Sequence, residues 1–203
     1  MATNFIKSLM DFIFSNSYIF DKVRSIIHND YKNEKKIISE NFERNKNTLD
    51  FGCGAGQFSI LFNPSKYYGV DTSTKYIKFC KLNRKGNFFL IKHGLPYNFN
   101  KKFFNQILVS AVIHHIDDNK IGLIAKGLNR ILKSNGRLMI VDHFTKKNQK
   151  NIFCKFLINL DRGKDFRDSD NVINLFSRYF KFKGMKSFNN GPYKDYALIL
   201  IKK

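Results

Sequence analysis

Acidic residues are scarce in this chain. Against 36 Lys and Arg stand 16 Asp and Glu, which leaves a formal net charge of +20 over 203 residues. Such an excess points to a polyanionic partner, either nucleic acid or an anionic membrane surface. A compositional reading competes with it and is preferred. Lys far outnumbers Arg, Asn, Ile and Phe are abundant, and the lysines run along the whole chain, as AT-rich codons would produce. Phosphate recognition by paired N–H donors would bring more Arg. Non-specific attraction to polyanions is expected; a stable nucleic-acid complex is not. Cysteine is equally sparse. Cys53, Cys80 and Cys154 lie far apart without C-x-x-C spacing, which argues against a metal site and a disulfide framework and for a reducing cytoplasm. With only 3 prolines, no low-complexity linker and no repeat, residues 1–203 read as a single domain. No apolar run nears the ~20 residues a membrane span needs. The N-terminus lacks a signal peptide's basic start and small-residue cleavage site, so a cytoplasmic protein is expected.

What the chain does have is a glycine turn. Thr48, Leu49 and Phe51 make a short apolar strand with Asp50 near its end, and Gly52, Gly54 and Gly56 follow at alternate positions. Glycines spaced this way let the backbone turn sharply and approach a ligand where a Cβ would collide. A second strand, Lys66-Tyr67-Tyr68-Gly69-Val70, ends in Asp71, 19 positions beyond Gly52. That is close to the ~20 separating a glycine loop from a ribose-binding acid. The site is read as a nucleoside site. A dinucleotide fingerprint, G-x-G-x-x-G, would place its third glycine at position 57, where Gln57 stands.

From residue 46 onward strands and helices alternate, the signal of a parallel sheet with helices on both faces. Strands are predicted near 46–51, 66–71, 88–92, 105–111 and 136–142, with helices near 56–62, 73–82, 118–133 and 148–160. A helix over 168–179 and strands near 180–188 and 194–202 complete the chain. Asp118 is expected to cap the fourth helix, Asn135-Gly136 to end it, and Asn190-Gly191-Pro192 to turn between the last two strands. Residues 3–28 carry an apolar face at helical spacing, from Phe5, Ile6 and Leu9 to Ile26 and Ile27. They read as a helical lid over residues 1–45 or as an interfacial helix in peripheral contact with lipid. A Glu- and Lys-rich helix over about 33–45 is expected to be solvated.

The run Asp50-Phe51-Gly52-Cys53-Gly54-Ala55-Gly56 is similar to motif I of the class I methyltransferases that use S-adenosylmethionine. Tyr68-Gly69-Val70-Asp71 resembles the family's second strand with its ribose acid. Phe104 to Ser110, followed by His114-His115-Ile116-Asp117, resembles its fourth strand and active-site loop. Leu128 to Leu138 resembles the next helix, turn and strand. The resemblance spans roughly residues 46–144 and implies a Rossmann-like, doubly wound α/β fold: seven strands, mostly parallel, with the last antiparallel inside the sheet. A cofactor core over 46–144 would be followed by substrate-side helices and a hairpin over 145–203.

The resemblance also implies roles. Gly52, Gly54 and Gly56 would admit the cofactor's methionine moiety, with Asp50 attracting its ammonium group. Asp71, beside Thr72, would accept hydrogen bonds from the ribose hydroxyls, although an Asp at a strand end is often only a helix cap. In Lys92-His93-Gly94-Leu95-Pro96 the small residue and Leu-Pro fit the adenine side, while His93 replaces the family's acid; a neutral imidazole can accept one hydrogen bond there. Ser110 ends the fourth strand, on the cofactor side. His114 or His115, facing the transferring methyl group, would remove a proton from the acceptor, with His143 after Asp142 as a second candidate. Both histidines could instead only organise the loop. Arg162 and Arg167 could grip an anionic substrate group or form surface ion pairs with Asp165 and Asp168. No Asn-Pro-Pro-Tyr, Asp-Pro-Pro-Tyr or Pro-Cys occurs, which argues against adenine N- and cytosine C5-methyltransferases. The expected activity is methyl transfer to an oxygen or nitrogen of a small metabolite or lipid-like acceptor, oxygen being preferred. The alternatives are an RNA- or ribosome-directed methyltransferase and a non-catalytic S-adenosylmethionine-binding protein.

Overall fold

A computed structural model describes residues 22, 25–26, 28–92, 99–143, 165–191 and 193–203. Seven strands form one sheet: β1 (Thr48–Phe51), β2 (Tyr67–Asp71), β3 (Asn87–Leu90), β4 (Phe104–Ser110), β5 (Leu132–Asp142), β6 (Phe180–Asn190) and β7 (Tyr193–Lys202). Their order is β3-β2-β1-β4-β5-β7-β6. Strands β1 to β5 run parallel, and β7 enters antiparallel between β5 and β6. Helices α1 (Lys32–Asn41), α2 (Thr74–Asn83), α3 (Asp118–Ile131) and α4 (Ser169–Ser177) are the α-helices among the described residues. None of them is long and apolar enough to cross a membrane.

The centre of the sheet is apolar on both faces because helices cover both. Successive side chains of a strand point to opposite sides, and the core divides accordingly. Ile107, Val109, Leu138 and Ile140 pack with Ile121, Ala125 and Leu128 of α3 and Val172 and Phe176 of α4. Leu108, Met139 and Val141 pack on the other face with Ile37 and Ile38 of α1, Ile77 of α2, Phe58 and Phe62. The winding reverses between β1 and β4, so the crevice beyond their carboxyl ends is the expected ligand position.

Several predicted elements are corrected. Residues 56–62 do not form an α-helix: Gly56 has φ +70° and a short 3₁₀ turn covers Ser59–Leu61. Three-residue bonds such as Leu61 N–H to Phe58 O close it, while buried Phe58 and Phe62 anchor it. Asp117, not Asp118, caps α3, accepting the Lys120 N–H at 3.0 Å. The helix ends at Ile131 and β5 begins at once. Asn135-Gly136 lies inside a register irregularity, where two steps along β4 face five along β5. Helix α1 is not simply solvated: Glu34, Ile37 and Ile38, at i, i+3 and i+4, form a buried stripe. The hairpin matches expectation, with Asn190 paired to Tyr193 and Gly191 at φ +60°. Helix 148–160, and the lid or lipid-contacting helix over 3–21, lie outside the described residues.

Candidate active site

The glycine turn leaves β1 and passes under the end of β2. Gly54 has φ +50°, a region costly for side chains, and the space its Cβ would occupy is open. Bare backbone therefore faces the crevice. Asp71 holds that backbone in place: its Oδ2 accepts the Gly54 N–H at 2.9 Å and its Oδ1 the Ser73 N–H at 2.8 Å. Burial pushes this carboxyl above its usual range, against the pull of the Ser73, Gly54 and Thr72 N–H groups. Ser73, not Asp71, caps α2, so the simple cap role does not describe Asp71. Thr72 is exposed beside it.

Asp50 points elsewhere. It is 1 % exposed, and the Tyr67 hydroxyl donates to its Oδ2 at 2.6 Å. Burial raises its pKa to about 7 despite that hydrogen bond, and the neighbouring Asp71 charge adds to the rise. Attraction of an ammonium by a standing negative charge is thus weaker than the sequence suggests, because the carboxyl is half protonated near neutrality.

Beyond β4 the chain turns at Ala111, a non-glycine residue at φ +53°. Such outliers persist where surroundings over-determine them, and here Ala111 N–H is bonded to Val141 O at 2.9 Å. The loop then brings His114 against Asp142 at the end of β5, with His114 Nδ1 and Asp142 Oδ1 at 2.6 Å. Asp142 also accepts the N–H groups of Ile113, His114 and His143. Burial works to raise its pKa; the imidazoles of His114 and His143 and the His143 N–H overcome that and hold it at about 2. An ionised Asp142 requires a proton on His114 Nδ1, leaving Nε2 as the basic atom of the neutral ring. Phe166 stacks on this ring, with centroids 5.3 Å apart.

His115 is exposed, with its ring 4.0 Å from that of His114. His143 is buried and its Nδ1 lies 3.2 Å from Asp195 Oδ1. His114, Asp142 and His143 offer ligand-capable atoms within 4.8 Å of one another, although no metal was expected. Both oxygens of Asp142 already accept N–H donors, which suits a hydrogen-bonded cluster.

Arg167 has a different task from the anion grip expected of it. Its guanidinium bonds Asp118 Oδ1 and the carbonyls of Ile113, Ile116 and Asp165. Its N–H groups are spent on clamping the His114 loop to the start of α3. The ion-pair alternative also changes partner, from Asp165 and Asp168 to Asp118. His93, Gly94 and Arg162 lie outside the described residues.

Three residues were missed. Ser110 Oγ donates to Glu34 Oε1, and the Asn190 amide nitrogen bridges Glu34 Oε2 at 3.0 Å and Asp195 Oδ2 at 3.1 Å. Glu34 shared the helical stripe of Ile37 and Ile38, a signal that could have marked it. Asp195 interrupts an otherwise largely apolar strand. Nothing distinguished Asn190 from an ordinary turn residue.

A methyltransferase-domain signature matches residues 42–159, more than half of the chain. The chain belongs to the methyltransferase-domain family. The cofactor expected from its glycine turn, S-adenosylmethionine, follows from that membership. Among relatives of this family, an uncharacterised Methanocaldococcus jannaschii protein is 30% identical over 138 residues, 68% of this chain and 53% of that one. The tRNA (carboxymethyluridine(34)-5-O)-methyltransferase of Arabidopsis thaliana is 28% identical over 53% of this chain and 26% of its own. The chain thus spans about half the length of the first relative and a quarter of the second. The fold is shared with the geranyl diphosphate C-methyltransferase of Streptomyces coelicolor, solved with S-adenosyl-L-homocysteine. The TM-score is 0.67 at 11% identity, over 87% of this chain and 82% of that one.

Proposed function

We propose that this methyltransferase transfers the methyl group of S-adenosylmethionine to an oxygen or nitrogen of a small acceptor, with His114 as general base oriented by Asp142. The His114–Asp142 pair carries this reading, because it stands at the carboxyl ends of β4 and β5 beside the glycine turn. The sulfonium already supplies a good leaving group. What the protein adds is alignment of the acceptor and removal of its proton. Gly52, Gly54 and Gly56 admit the methionine moiety and Asp71 takes the ribose. Cys53 and Cys80 are buried free thiols, and the Cys80 thiol donates to Gly54 O; both suit a reducing cytoplasm.

Cofactor binding is the first test. Asp71→Ala weakens S-adenosylhomocysteine binding by roughly 1.5–3 kcal/mol, the range for hydrogen bonds to a charged group. Titration calorimetry on both proteins measures it, and equal affinities would remove Asp71 from the site.

The acceptor class is tested by incubating the protein with methyl-labelled S-adenosylmethionine, a small-molecule extract and total RNA at physiological salt. Label enters the small-molecule fraction. RNA binds non-specifically and loosens as salt rises, since Lys-phosphate contacts release counterions. The Arabidopsis relative favours a second reading, methylation of RNA. Label retained in one RNA species would establish it.

A further inference from the structure

Beside the dyad lies a cavity whose walls oppose the charge of the rest of the chain. Glu34, Asp142 and Asp195 line it, together with Asn190, Ser110 and Tyr31. No Lys or Arg is among its described lining residues, although the chain carries a net charge of +20. Carboxylates are rarely buried without partners, and Glu34, Asp142 and Asp195 are each 3 % exposed. One amide nitrogen, that of Asn190, serves both Glu34 and Asp195. Those two carboxylates fix the amide's orientation, because its oxygen could donate to neither. The Asn190 Oδ1 is consequently an acceptor. Asn190 is 2 % exposed, and this oxygen has no hydrogen-bond partner among the described residues.

Acceptors thus dominate the cavity wall. The Tyr31 ring stacks on that of His28 and adds an aromatic surface. Tyr31 itself sits at φ +54°, in a left-handed turn with Asn29 and Asp30. Asn and Asp tolerate that conformation, a bulky ring does not do so readily, and the turn places Tyr31 against the cavity. Excess buried acceptors, negative charge and an aromatic face together recognise a group that donates several hydrogen bonds and carries positive charge.

We propose that this cavity receives the ammonium group of the methyl acceptor, so that the substrate is a small cationic amine methylated on nitrogen. The proposal rests on the methyltransferase reading and turns its choice between oxygen and nitrogen toward nitrogen. The chemistry balances as follows. The ammonium gives one proton to the His114 imidazole, and the freed nitrogen lone pair attacks the methyl carbon. The C–S bond breaks with its electron pair going to sulfur, which yields S-adenosylhomocysteine. The product is a protonated methylamine, and the imidazolium returns its proton to water.

Calorimetry with n-butylammonium and n-butanol as probes, each with and without S-adenosylhomocysteine, tests the cavity apart from turnover. Butylammonium binds and butanol does not. Glu34→Gln and Asp195→Asn, which keep size and hydrogen bonding, each weaken butylammonium at least tenfold and leave S-adenosylhomocysteine affinity within twofold. Thermal unfolding confirms that both variants are folded, and either variant alone suffices if the other is not. Equal binding of butanol, or undiminished butylammonium binding in a folded variant, overturns the proposal. Loss of S-adenosylhomocysteine affinity in the variants with butylammonium unchanged also overturns it, and assigns the carboxylates to the cofactor's own ammonium. Failure of the wild type to bind S-adenosylhomocysteine sinks the methyltransferase reading instead, and butylammonium binding to the unliganded protein still decides the cavity.

Discussion

Replacing His114 by Gln lowers turnover on the true acceptor by ~10²–10⁴-fold, the usual contribution of a positioned base, and leaves cofactor affinity nearly unchanged. The size of the loss follows from the pair's electrostatics. Asp142, held at about 2, remains ionised at any working pH and keeps the ring proton on Nδ1. Nε2 is then always basic when the ring is neutral. Asp142→Asn tests the same logic from the other side. A carboxamide can donate to Nδ1, which drives the proton to Nε2 and removes the base without removing the ring. Turnover falls in that variant too, while His115→Ala, at an exposed position, changes turnover only a few-fold. Single-turnover kinetics separate these effects from binding. Wild-type turnover in His114→Gln would move the base elsewhere, with His143 next in line.

The sheet was legible because its signals are local and repeated. Apolar strands recur with helices between them, and each predicted strand overlaps an observed one. The glycine turn and Asp71 were legible for a related reason: sharp turns and close backbone approach restrict residue type, so spacing alone exposes them. Errors arose where a tertiary partner decides. Residues 56–62 have helical spacing, yet positive φ at Gly56 breaks the helix before it starts. Arg167 has the chemistry of an anion grip, but the carbonyls of Ile113 and Ile116 reach it first. The polar wall of Glu34, Asn190 and Asp195 draws on residues up to 161 positions apart, which no local pattern reports. Only the hairpin's return beside β5, and α1 laid against the end of β4, bring them together.

Asp50→Asn changes the pH dependence of stability more than any other conservative substitution in the site. Asp50 is buried with its pKa raised to about 7 from an ordinary 3.8. A carboxyl raised in the folded state favours folding while it is protonated. Its contribution is therefore fully present below about pH 4 and is lost as pH climbs through 7. At 1.36 kcal/mol per unit, a shift of this size costs on the order of 4 kcal/mol by pH 8. Asparagine keeps an oxygen for the Tyr67 hydroxyl and cannot ionise, so it avoids that loss. Asp71, also raised by burial, contributes a slope of the same sign in both proteins. The deciding quantity is accordingly the difference between them. Urea unfolding at pH 4, 6 and 8 should show the two proteins converging at low pH and the variant pulling ahead by several kcal/mol at high pH. A constant gap across the series would mean that Asp50 does not titrate in this range. Cofactor binding reports the same proton independently. An ammonium group arriving near Asp50 favours its ionised form, so wild-type affinity for S-adenosylhomocysteine strengthens between pH 6 and 8. In the variant that strengthening disappears, because no proton remains to be released.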